Sequence, residues 1–232
     1  MTMKNFTSVL QLTIFLSLLY LSATAQNLQL HYDFGKADDG ELNADREHFT
    51  TTLEMFRPDS LGSTFFFVDM NYDSENGMSF AYWEIARTFK LPKIKNLRLE
   101  LGYNDGMFIP SAWLVGLQTP FTIGPASIST SLYYRAEKGA KSADAQFTGV
   151  WFMMLFKGKV TLSGFVDVWS QDDYNLLGDK DGKRVVFLTE PQLWYNIHKK
   201  FALGGEVEFS RNLFTFDGDV EVMPTLAVKW TF

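Results

Sequence analysis

The chain has 232 residues, 46% of them hydrophobic and 16% aromatic, with no cysteine; a sizeable core is available, while disulfides and thiolate metal sites are excluded. Its formal net charge is −6, and no basic cluster accompanies it, which argues against nucleic acid as a partner.

The opening stretch, MTMKNFTSVLQLTIFLSLLYLSATAQ, carries Lys4 ahead of an apolar run over 10–21 and then Ala23-Thr24-Ala25. That is the pattern of a secretory signal cleaved between Ala25 and Gln26. A membrane anchor is the alternative, but the run is short and the small-residue site follows it directly. Beyond it, no stretch approaches the roughly 18 uninterrupted apolar residues of a membrane-crossing helix. The division is a signal peptide over 1–25 and one domain over 26–232.

The domain reads as alternating segments of about ten residues separated by turn chemistry. LQLHYDF puts Leu28, Leu30, Tyr32 and Phe34 on one face and Gln29, His31 and Asp33 on the other. HFTTTLEMF, TFFFVDMNY and MSFAYWEIARTF follow; in them Phe49, Leu53, Phe66, Val68, Trp83 and Ile85 oppose His48, Thr50, Glu54, Phe65, Phe67, Tyr82 and Glu84. NLRLELGY sets Leu97, Leu99 and Leu101 against Arg98 and Glu100, SAWLVGLQT offers Trp113, Val115 and Leu117, and ASISTSLYYRA sets Ile128, Leu132 and Tyr134 against Tyr133 and Arg135. GLQTPFTIGP reads as a Pro/Gly loop, with no resemblance to a phosphate cradle. QFTGVWFMMLF is apolar on both faces, Phe147, Trp151, Met153 and Leu155 being its bulkier side. VTLSGFVDVWSQ turns Phe165, Asp167 and Trp169 away from Val166 and Val168. GDKDGK is a turn, RVVFLTEPQLWYNI carries Glu190, Gln192 and Trp194, and FALGGEVEFS carries Glu206 and Glu208. The last run, VEVMPTLAVKWTF, places Leu226, Val228, Trp230 and Phe232 in one stripe.

This pattern predicts about twelve antiparallel strands in an all-β fold. Alternation alone fits a sandwich, a soluble barrel or a membrane barrel. The export signal, the aromatics near strand ends (Tyr32, Phe34, Tyr72, Phe89, Tyr103, Tyr134, Trp230, Phe232) and nearly uncharged apolar stripes favour an up-and-down barrel in the outer membrane. Arg87, beside Phe89 in an apolar stripe, is placed to snorkel at an interface. The terminal Phe232 has the form of a signal for the barrel-assembly machinery.

On this phase the lumen candidates are Phe65, Phe67, Tyr82, Glu84, Arg98, Glu100, Tyr133, Arg135, Phe165, Asp167, Trp169, Glu190, Gln192, Trp194, Glu206 and Glu208. Acidic groups outnumber basic ones there; they should pair with Arg98, Arg135 and Arg184 or stay hydrated. Ring faces would stack on a flat, neutral solute, while carboxylates and amides would bind its hydroxyl or amine groups. No catalytic residue, metal ligand or cofactor motif stands out. No diagnostic segment surrounds His48, as a phospholipase-like Ser/His pair would need, and DKDG at 179–182 lacks the later carboxylate spacing of a calcium loop.

The segments GFVDVWSQD, FLTEPQLWYNI and GGEVEFSRN, with YWEIARTFKL and LQLHYDFG earlier, resemble the nucleoside-specific channel-forming (Tsx) family. The resemblance implies a twelve-stranded monomeric barrel in a Gram-negative outer membrane that passes nucleosides passively and selectively. Phe165, Asp167, Trp169, Glu190, Gln192, Trp194 and Glu206 fall on the similar segments. The expected partners are outer-membrane lipid, the assembly machinery and a small polar solute. The alternatives are a closed-lumen barrel with a structural or surface-binding role and a soluble periplasmic ligand-binding barrel.

Overall fold

Alternation of period two cannot sit as a helix, because it would scatter the apolar residues around the axis; it needs a sheet with two unlike faces. The computed structural model describes residues 26–38, 41–43, 48–73, 77–174, 180–213 and 218–232. The expected signal peptide, Ala25 included, lies outside the described residues. The strands are β1 (Gln26–Asp33), β2 (Lys36–Asp38), β3 (Glu41–Asn43), β4 (His48–Pro58), β5 (Gly62–Asp73), β6 (Gly77–Lys90), β7 (Arg98–Gly106) and β8 (Ile109–Ile123). They continue with β9 (Ala126–Glu137), β10 (Asp144–Leu155), β11 (Val160–Tyr174), β12 (Lys180–Thr189), β13 (Gln192–His198), β14 (Phe201–Arg211) and β15 (Val220–Thr231).

Sequence neighbours pair antiparallel around the sheet and β1 pairs with β15, so the sheet closes as a 12-strand barrel. β12 and β13 share one place in the ring, between β11 and β14. β2 and β3 form a separate ribbon in the connection between β1 and β4. Closure matters energetically, because it gives every strand of the ring two partners and leaves the barrel no edge of bare backbone groups.

The outward face is apolar and uncovered. Leu28, Leu53, Ile85, Val115 and Leu203 are exposed there, and Leu132 and Leu226 reach 64% and 61% exposure. Water does not tolerate a continuous apolar band of this kind on a monomer, whereas hydrocarbon does. The barrel is therefore a membrane-spanning one. Aromatic clusters mark its two ends. Tyr32 packs edge-on against Phe34 and Phe49 at 5.1 and 5.3 Å, and Tyr103 sits between Trp83 and Trp113 at 5.3 and 4.7 Å. At the end holding the chain termini, Trp230 and Phe232 lie 5.2 Å apart. Cross-strand partners share a face, so the pairing of Phe147, Trp151 and Met153 with Leu132, Ile128 and Ala126 turns them outward, the phase expected for that ambiguous run.

Three local expectations need correction. The stretch 116–123 is not a loop but the second half of β8, and only Gly124 and Pro125 turn the chain. Pro120 is tolerated because β7 begins opposite Gln118, so Pro120 lies beyond that ladder and pairs only with β9. Of the turn expected over 178–183, Lys180–Lys183 belong to β12, while Gly178 and Asp179 lie outside the described residues. There Lys180 and Lys183 reach Asp172 at 2.9 and 2.8 Å, zipping the hairpin further than its turn residues imply. Finally, RVVFLTEPQLWYNI is interrupted at Glu190 and Pro191. The register with β11 is the same on both sides, so this is a gap in the ladder and not a bulge. Pro191 has no N–H to give, and Gly164 opposite lies so close that a Cβ there would stand 2.5 Å from the Glu190 carbonyl oxygen.

Candidate functional site

Strand register brings every lumen candidate to the inward face. Around one wall, Glu54 pairs with Phe67, Phe67 with Glu84 and Glu84 with Asn104; one step along, Asp69 pairs with Tyr82. On the other, Thr148 pairs with Asp167, Gln146 with Trp169, Ser163 with Gln192, and Gln192 with Glu206. Arg98, Glu100, Tyr133 and Arg135 fall in phase with these on β7 and β9. Burial then divides the inward set into two groups that do different work.

The first group is packed away. Trp194 is fully buried over Ala202 and Ala227, and a Cβ on Gly204 would stand 2.0 Å from the Leu193 carbonyl oxygen and 2.9 Å from the Trp194 ring. His31 meets the Trp194 ring edge-on at 6.0 Å, and Lys229 Nζ lies over that ring 3.8 Å from its centre. The His31 ring also hydrogen-bonds Thr225 Oγ1 at 3.0 Å and Gln29 Oε1 at 2.9 Å. Trp194 Nε1 donates to Gln192 Oε1 at 3.1 Å, and Gln192 Nε2 donates to Glu206 Oε2 at 2.8 Å. Across the barrel, the buried Arg135 donates to Gln146 Oε1 at 2.8 Å and to Glu137 Oε2 at 3.0 Å, and its guanidinium lies 5.3 Å from the Trp169 ring centre. Glu100, also buried, accepts from Ser131 Oγ at 2.7 Å and Gln118 Nε2 at 3.1 Å. Satisfied networks of this kind rigidify a wall.

The second group stays partly accessible: Phe65, Phe67, Tyr82, Glu84, Arg98, Phe165, Asp167, Glu190, Gln192, Glu206 and Glu208. Phe65, Phe67 and Tyr82 form an aromatic ladder with ring centres 5.8 and 5.9 Å apart. The Tyr82 hydroxyl donates to Glu84. Asp69 accepts from Thr52 Oγ1 and Asp167 from Thr148 Oγ1, each at 2.5 Å.

The expected pairing of these carboxylates with arginines holds for Arg135, which lies within electrostatic range of Glu84 and Asp167 and pairs directly with Glu137. Arg184 is 3.6 Å from Asp173, and Arg98 reaches Glu100 only through Gln118. Threonine hydroxyls from the neighbouring strands, which period two places directly opposite, hydrogen-bond Asp69 and Asp167. Three further inward residues belong with the candidates: Glu54, Asp69 and Lys229. Alternation puts each on the inward face, and what it does not show is that they meet the candidate side chains there. Among the described residues, no group of three or more His, Asp or Glu is placed to hold a metal ion.

A closed antiparallel barrel with an apolar belt and a polar, side-chain-lined interior defines the class of outer-membrane β-barrels. Within that class, residues 25–232 match the model of a domain of unknown function, DUF5020, and the chain belongs to this family. No curated protein matches it in sequence. Among solved structures it is similar to the NanC porin, at 10% identity and a TM-score of 0.59 over 90% of this chain and 100% of that one. It is similar as well to the KdgM porin, at 11% identity and a TM-score of 0.52 over 90% and 99% of the two chains. The outer membrane phospholipase A from Escherichia coli matches at 15% identity and a TM-score of 0.50 over 89% of each chain. These likenesses establish the fold; porins and an enzyme share it, so function has to be argued from the side chains.

Proposed function

We propose that this protein is a channel of the Gram-negative outer membrane that passes small polar solutes by passive, selective diffusion, nucleosides being the class its lumen suits best. The observation that carries the reading is the accessible inward face, where the Phe65–Phe67–Tyr82 ladder borders Glu84 and Asp69. A flat base stacks on ring faces, and a ribose or exocyclic amine donates to carboxylates. The likeness to two porins supports a channel over an enzyme. Phe65, Phe67, Tyr82, Glu84, Phe165, Asp167, Glu190, Gln192, Glu206 and Glu208 would line the path, with Glu100, Tyr133, Arg135, Trp169 and Trp194 bracing it from behind. Lipid would cover the outer band, and the assembly machinery would read the last strand with Phe232. On this reading the protein works as a monomer without cofactor.

Purified protein in liposomes should speed adenosine or uridine uptake over that of a sugar of similar size. Equal leakage of all three would remove the selectivity. One observation favours a second reading, a barrel with a blocked lumen: Gln29, His31 and Trp194 are almost wholly buried in the interior. Folded protein with no conductance in planar bilayers would establish that reading in place of the channel.

A further inference from the structure

Carboxylates are prominent on the accessible inward face, beside the rings of Phe65, Phe67, Tyr82 and Phe165. Glu54, Asp69 and Glu84 lie on β4, β5 and β6, and Asp167, Glu190, Glu206 and Glu208 lie on the wall formed by β11 to β14. The two walls face each other closely enough to interact. Glu190 lies within electrostatic range of Glu206, Glu208, Asp167 and, across the ring, Asp69; Asp167 likewise senses Glu84. Fewer cations face them, and each is held in the wall. Arg135 is only 6% exposed and donates to Glu137 and Gln146, within electrostatic range of Glu84 and Asp167. His31, 1% exposed, lies 3.4 Å from Glu206, Lys229 lies against the Trp194 ring within range of Glu54 and Glu206, and Arg98 reaches Gln118. Asp69 and Glu190 have other carboxylates as their charged neighbours.

A second observation points to a missing donor at the same place. Asn104 is 3% exposed and directly opposite Glu84 in the β6–β7 ladder. Its amide hydrogen-bonds Glu84, while its Oδ1 is buried without a partner. A buried acceptor of this kind costs about 1–3 kcal/mol when left unmade. Beside the acceptors, on the same wall, the Phe65, Phe67 and Tyr82 rings present faces that attract cations. Carboxylates, an orphaned amide oxygen and ring faces have one complement in common: a positively charged N–H donor.

From this we infer that the lumen selects for cations, and that its preferred solutes carry an ammonium or another protonated nitrogen, with anions turned away. The inference rests on the channel reading and, within it, puts cationic solutes ahead of neutral nucleosides. A low-dielectric wall focuses the field of fixed charges into a narrow aqueous path, so a modest excess of ionised carboxylates, with Asp69 and Glu190 at its centre, suffices to set selectivity.

The test is a reversal-potential measurement on the full mature chain in planar bilayers under a KCl gradient. The expected result is a K⁺ over Cl⁻ permeability ratio of roughly tenfold, which corresponds to about 1.4 kcal/mol of discrimination. The double variant Asp69→Asn, Glu190→Gln keeps the shapes and should bring the ratio close to unity. In liposomes, ethanolamine should enter several-fold faster than ethylene glycol, and acetate slowest. A conducting pore with no cation preference, or one that prefers chloride, overturns this inference and leaves the channel reading standing. Absence of any conductance in folded protein overturns both.

Discussion

Arg87, on the outward face of β6, is clamped by Asp59 in the turn between β4 and β5: Nη1 lies 2.5 Å from Oδ2 and Nη2 3.0 Å from Oδ1. Asp59 also accepts the backbone N–H groups of Leu61 and Gly62, both at 2.8 Å, so one carboxylate shapes the turn and neutralises a cation at the edge of the apolar band. The guanidinium further lies 5.1 Å from the Phe89 ring centre. The lone charge in an apolar stripe is thus the interfacial snorkel its position called for.

This pair sets an expectation for pH. The Arg87 hydrogen bond holds the Asp59 carboxyl well below the usual carboxylate range. A depressed folded value means that the stabilisation is fully present above the ordinary carboxylate pKa and is lost only as pH falls through the lower folded value. The difference in thermal stability between the native chain and Asp59→Asn should therefore be flat from neutral pH down to about pH 4 and shrink only below it. A difference already lost near about pH 6 would show that the clamp contributes nothing.

Bracing and lining residues should separate experimentally. Trp194→Ala opens a cavity in a fully buried site, and a loss of about 3–5 kcal/mol in denaturant stability is expected. Glu190→Gln, at an accessible position, should leave stability nearly unchanged and alter single-channel conductance. Reversed results would mean that the two groups have been assigned the wrong way round.

Arg135 offers a test of a different kind, because its removal strands Glu137 and leaves Gln146 without its donor. Breaking a buried pair by truncating one partner costs about 3–5 kcal/mol. Arg135→Met should lower the heat-modifiability midpoint on gels. The simultaneous change Arg135→Met, Glu137→Gln should recover part of that loss, since it leaves no bare charge.

Gly204→Ala should impair assembly out of proportion to its size. The added methyl would have to displace the Leu193 backbone and the Trp194 ring together, and neither has room to move. The contrasting control is Gly124→Ala, in an open turn where nothing lies within 4 Å, though its φ of +54° carries a small strain. Folded yield after refolding into detergent distinguishes the two.

The inward parity of all the candidate residues was legible because a period of two leaves one choice per strand, and that choice is forced by runs such as Leu28-x-Leu30-x-Tyr32. What alternation cannot convey is depth. Trp194 and Gln192 share a parity and stand two residues apart, yet one is fully buried and the other accessible. That difference arises from side chains meeting across several strands: His31 and Lys229 converge on the Trp194 ring from β1 and β15. The error at Pro120 has the same origin. A proline read locally announces a loop, and only the finishing point of the neighbouring strand shows that its missing N–H costs nothing there.

The contact between His31 and Trp194 has a kinetic meaning as well. β1 acquires β15 as a neighbour only when the two ends of the sheet find each other, so the Trp194 ring, which Lys229 can reach through the consecutive strands β13 to β15, cannot receive its imidazole companion from β1 before the ring is complete. Trp194 is thereby a built-in reporter of the last event in folding. In a chain whose other tryptophans are replaced by phenylalanine, its fluorescence change should trail the growth of strand signal and coincide with the onset of resistance to detergent.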